Sequence, residues 1–67
     1  DEKPLGEIMQ ELSHWYEFNV VFEKESLKQR KFTIETSRYE NIDQVLKLIE
    51  ETHVVKCRKE GKTIYIQ

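Results

Sequence analysis

The chain of 67 residues carries 11 Lys plus Arg against 13 Asp plus Glu, a net charge of −2. That suffices for one small domain and excludes the basic excess with which nucleic-acid binders neutralise phosphates. A domain of this size buries only about 60% of the surface its unfolded chain exposes, which leaves little room for a deep catalytic cleft. The single cysteine, Cys57, excludes an intrachain disulfide, and no apolar run approaches the length of a membrane-spanning helix.

Pro4 suits the first turn of a helix, where a missing N–H costs nothing. Leu5, Ile8, Met9, Leu12, Trp15 and Tyr16 then recur at three- and four-residue steps, with Glu7, Gln10, Glu11 and His14 between them. This spacing predicts an amphipathic helix over residues 4–17, ended near Asn19, a residue that tolerates the left-handed conformation. Trp15 and Tyr16 continue the stripe, so both are expected to seal the end of this helix over the core.

Val20, Val21 and Phe22 are β-branched and aromatic and predict a strand. Residues 23–30 form a polar connection anchored by Leu27. Residues 31–36 alternate, with Phe32 and Ile34 on one face and Thr33 and Glu35 on the other, and residues 37–40 form a loop carrying Tyr39. Asn41 followed three residues later by Gln44 is an N-cap signature. Ile42, Val45, Leu46 and Ile49 give a second helical stripe flanked by Leu48, ending near Thr52. Two further strands, residues 54–59 and 63–67, are joined by a tight turn at Gly61. Alternation puts Cys57 on the face of Val55, and Tyr65 opposite Ile64 and Ile66.

The expected fold is therefore α+β, with two helices packed among small sheets in the order α-β-β-α-β-β. The stripe of the first helix reappears 37 residues later in the second (Leu5, Ile8, Met9 and Leu12 against Ile42, Val45, Leu46 and Ile49). Two copies are too few for a solenoid, so they are expected to close on each other as one domain spanning residues 1–67.

Chemistry-bearing constellations are sparse. His53 and Cys57 are four residues apart, but one falls at a helix end and the other in a strand, and His14 is the only other imidazole. No closed metal site follows from such a set. Ser13, Ser26 and Ser37 lack a neighbouring base, and two glycines cannot build a phosphate-cradling loop. No catalytic, cofactor or metal residue is assigned, and an enzyme is not expected. An RNA-binding α+β domain using Lys28, Arg30, Lys31, Arg38 and Phe32 is an alternative, opposed by the negative net charge.

Three segments taken in order, "PLGEIMQELSHWYEFNVVFE", "LKQRKFTIE" and "NIDQVLKLIEETHVVKCRKEGKTIYI", carry a family resemblance. The chain resembles the C-terminal domain of FecR-type anti-sigma regulators, the variety common in Bacteroidetes, which is similar to the short N-terminal signalling domain of secretins and TonB-dependent transporters. The resemblance implies two helices between a two-stranded and a three-stranded sheet. It implies a periplasmic domain, excised here from a longer protein tethered to the inner membrane, that receives a signal from the N-terminal signalling extension of a TonB-dependent outer-membrane transporter. Other parts of the full protein would hold the sigma factor. No cofactor is implied. An alternative role in the same fold is the signalling extension of a transporter or secretin itself.

The family has a strand just before the Pro-Leu pair, which the resemblance places upstream of this chain. Residues 31–36 are then expected to lack an in-chain partner and to offer an edge for self-association or strand addition. Expected partner contacts are Phe32 and Ile34 on that segment, and Thr63, Tyr65 and Gln67 on residues 63–67, read as a second edge.

Overall fold

A computed structural model describes residues 2–34 and 41–67. The elements in chain order are β1 (Lys3–Pro4), α1 (Leu5–Tyr16), β2 (Asn19–Phe22), a 3-10 helix (Glu25–Gln29), β3 (Lys31–Phe32), α2 (Ile42–Glu50), β4 (Cys57–Glu60) and β5 (Thr63–Ile66). Both helices lie where the periodicity puts them. In α1, Leu5, Ile8, Met9 and Leu12 are buried; in α2, Ile42, Val45, Leu46 and Ile49 are. These eight residues share one core with Phe32, Val55, Ile64 and Ile66. The α+β architecture with a two-stranded and a three-stranded sheet is thus the expected one.

The cap of α2 is made as the sequence suggests: the Asn41 Oδ1 accepts the Gln44 N–H at 3.0 Å. The end of α1 is different. Glu17, not Asn19, takes the left-handed conformation, with φ 54°. The chain leaves the helix two residues early because Asn19 is already a strand residue, opposite Thr63, its N–H donating to the Lys62 carbonyl at 2.7 Å.

A first strand is present, contrary to the expectation that it lies upstream. Lys3 and Pro4 pair antiparallel with Phe32 and Lys31. Pro4 sits before the helix in extended conformation, with φ −61° and ψ 143°, a geometry its ring favours. The Leu5 N–H, one of the helix's unpaired donors, reaches the Arg30 carbonyl at 2.7 Å. Residues 31–32 therefore have an in-chain partner and are not the open edge foreseen. Thr33 and Ile34 lie beyond this short ladder. The expectations for Glu35, Thr36 and the loop at 37–40 fall outside the described residues.

The larger sheet has the order β2-β5-β4, with β2 parallel and β4 antiparallel to β5. Residues 63–66 are therefore the central strand, with both flanks paired, and not an edge. β4 starts at Cys57, later than expected, after His53 turns the backbone at φ 61°. The hairpin turn has a positive φ of 58° at Gly61 alone, the position at which a two-residue type II′ turn selects glycine.

Trp15 does not seal the core. It is 77% exposed, while its neighbour Tyr16 packs against the core cluster. At about 100° per residue, three steps place Trp15 roughly 60° from Leu12, past Ile8 at the margin of the stripe.

Candidate functional site

The register of the three-stranded sheet sorts its residues by face. Val20, Phe22, Ile64, Ile66 and Cys57 belong to the core side and pack in or against the core. Val21, Tyr65 and Arg58 stand side by side across the three strands on the opposite face, with Asn19, Thr63 and Glu60 in the next row. This outer face is half-polar and structured by one cation. The Arg58 guanidinium lies over the Tyr65 ring at 4.3 Å from its centroid. It also pairs with Glu60 and, at 3.5 Å, with Glu23. Glu23 in turn accepts from the Gln67 side-chain amide at 3.0 and 3.1 Å. The result is a platform: an aromatic ring with a guanidinium over it, an exposed Val21 beside it, and a charge network around them.

Three of the five expected contact residues, Thr63, Tyr65 and Gln67, come together on this platform. Phe32 and Ile34 do not. Phe32 is buried in the core, and Ile34, beyond the end of β3, is partly buried against that core, so neither joins the platform. The burial of Phe32 also removes it as a stacking surface for a base. Val21, Arg58 and Glu23 complete the platform. Alternation along β2 separates Val21 from Val20 and Phe22, but only the parallel pairing of β2 with β5 brings it beside Tyr65.

A groove of about 520 Å³ opens on the core side of β2, between that strand, α1 and the 3-10 helix. Met9, Phe18, Val20 and Phe22 give it apolar walls, and Glu7, Gln10, Ser13 and Lys28 are among its polar residues. Gly6 permits this arrangement at one end, since a Cβ there would stand 3.2 Å from the Lys28 Cβ.

Among the described residues no three of His, Cys, Asp and Glu converge on a metal-sized site. The Cys57 thiol is pushed up to about 12, first by burial and then by the negative charge of Glu50, so it stays a neutral, unreactive core group at ordinary pH. No described helix is long and apolar enough to cross a membrane.

The family model for "FecR, C-terminal" matches residues 1–66, essentially the whole chain. Neither the curated proteins nor the solved structures contain a match. The matched family is regulatory. The chain belongs to the FecR C-terminal family, a regulatory domain of FecR-type anti-sigma regulators.

Proposed function

We propose that this chain is the periplasmic, signal-receiving domain of a transmembrane anti-sigma regulator that responds to a TonB-dependent outer-membrane transporter. The partner is the transporter's N-terminal signalling extension, and the sigma factor is held by other parts of the full protein. The observation that carries this reading is the family match over residues 1–66. The platform supports it. Tyr65 and Arg58 are residue types that recur as binding hot spots, and here both are held in place before a partner arrives. Thr63, Val21 and Gln67 extend the contact area around them. A face this small suits a modest, reversible signalling contact.

The test is a pull-down and titration of the chain against the signalling extension of a transporter encoded beside it. Binding that weakens at least tenfold in Tyr65→Ala is expected. No binding by the parent chain would end the reading; binding unchanged in Tyr65→Ala would move the contact off this face.

A further inference from the structure

The two edges of the three-stranded sheet are not alike. On β4, the residues whose backbone points away from β5 are Cys57 and Lys59, because Lys56 and Gln67 exchange backbone hydrogen bonds at 2.8 Å and set the register. That edge is guarded by α2. The Glu50 carboxylate accepts the Cys57 N–H at 3.0 Å, and the Lys59 ammonium reaches Asp43 at 3.3 Å. A carboxylate on the ladder's own donor and a lysine on the rim are devices that keep strands from pairing further.

Among the described residues, β2 has no such guard. The Asn19 N–H donates to Lys62 and the Glu23 N–H to Ile66, so in this parallel ladder the odd-numbered residues bond to β5. Val20 and Phe22 therefore turn their N–H and C=O groups outward, and among the described residues nothing takes them. These groups point away from β5 in the plane of the sheet, beside the 520 Å³ groove that the same two side chains line. At ~3.3 Å per residue the four residues of β2 offer about 13 Å of open edge. The two charged residues that line the groove, Glu7 and Lys28, are opposite in sign, so the lining carries no net charge to draw a charged occupant. Glu7 and Lys28 lie near the same end, through Gly6, and Lys28 is already paired to Glu25 at 3.0 Å and stands 5.7 Å from the centre of the Phe22 ring.

We propose that this free edge takes an added strand: an extended, uncharged segment of a partner protein, lying between β2 and α1 and hydrogen-bonded to the main chain of Val20 and Phe22. Spare donors and acceptors repeating every second residue ask for another backbone, not for a small molecule, and the apolar walls accept its inward side chains. The inference deepens the signalling reading, on which it rests for the identity of the partner, and moves the docking edge from residues 31–36 to β2.

Two measurements test it. In the first, an alternating Thr-Val hexapeptide is tethered after Gln67 by a Gly/Ser linker, which gives it a millimolar effective concentration, and amide hydrogen exchange is read residue by residue. The Val20 and Phe22 amides slow by about tenfold or more relative to a tether whose strand carries alternate prolines, while Asn19 and Val21 are unchanged. Equal exchange with both tethers overturns the proposal. So does concentration-dependent protection of the two amides in the untethered chain, which would give the edge to a second copy. In the second, Val20→Pro removes an outward N–H and no ladder bond, as edge proline does, and replaces a partly buried valine by a smaller apolar ring; its circular dichroism should match the parent, and Val20→Ala, which loses the side chain but keeps the N–H, should bind like the parent. Val20→Pro should bind the transporter's signalling extension at least tenfold more weakly. A folded Val20→Pro that binds like the parent overturns the edge proposal and leaves the signalling reading standing. Failure of the parent to bind removes that reading, and the tethered strand then decides the edge alone.

Discussion

Arg58 is the residue on which the outer platform turns, and its removal is the most informative single perturbation. Its guanidinium lies 4.3 Å from the centre of the Tyr65 ring, inside the ~6 Å reach of a cation–π contact, which at an exposed site is worth about 0.5–1 kcal/mol. Its ion pairs with Glu23 and Glu60 are half-exposed and add ~0–1 kcal/mol each, less in salt. Arg58→Ala should therefore cost about 1–2 kcal/mol in low salt. At ~4–8 °C per kcal/mol for a domain this small, that is a readable fall in melting temperature. The stacked part is isolated by a double-mutant cycle of Arg58→Ala and Tyr65→Ala, followed by urea unfolding in 1 M salt, where the screening length is only about 3 Å. A coupling of roughly 0.5–1 kcal/mol should survive the salt. Arg58→Lys keeps the charge but not the planar face, so it should recover the ion pairs and only part of the ring contact. Zero coupling in high salt, or a lysine variant as stable as the parent, would refute the claim that the ring is held by stacking.

Other consequences are simpler to read. Asn41→Ala removes the side-chain cap of a nine-residue helix and should cost ~1 kcal/mol, while Asn41→Asp keeps the acceptor and most of the stability; equal losses in thermal melts would contradict the cap. Leu12→Ala, at a fully buried site, should cost about 2–5 kcal/mol and leave the domain marginal, whereas Trp15→Ala should stay within about 0.5 kcal/mol; a reversal of that order in urea titrations would contradict the assigned burial. Cys57 holds its proton in the fold up to about 12 but loses it near 9 once unfolded, so stability is intact below about pH 9 and declines as pH rises toward 12; the decline should shrink in Cys57→Ala. For the same reason iodoacetamide at pH 8 should label native Cys57 much more slowly than the unfolded chain, and equal rates would contradict it.

Local chemistry was readable and long-range pairing was not. The two stripes, the Asn41 cap and the Gly61 turn each rest on residues a few positions apart, and each appears as expected. Alternation in residues 63–66 tells which side chains face the core, and Ile64 and Ile66 are fully buried as it requires. It does not tell which strand lies alongside. That β5 runs parallel to β2, more than forty residues away, decides that residues 63–66 are central and that β2 is an edge. β1 is two residues long, below any periodicity, and its proline reads as a helix start although it pairs as a strand. Trp15 shows the limit of a stripe read by spacing alone: a residue at the stripe's margin in the last turn of a helix has no following turn to cover it. The platform was therefore half visible. Tyr65, Thr63 and Gln67 follow from alternation, while Val21, Arg58 and Glu23 join them only through the sheet order.

The central claim, that this domain is gripped at its three-stranded sheet, is tested most directly by NMR. The isotope-labelled chain would be titrated with the signalling extension of a TonB-dependent transporter encoded beside it. Saturable shifts concentrated at Val20, Val21, Phe22, Arg58 and Tyr65 are expected. Shifts confined to the exposed side of α2 around Asp43 and Lys47, or no saturable change anywhere, would contradict it.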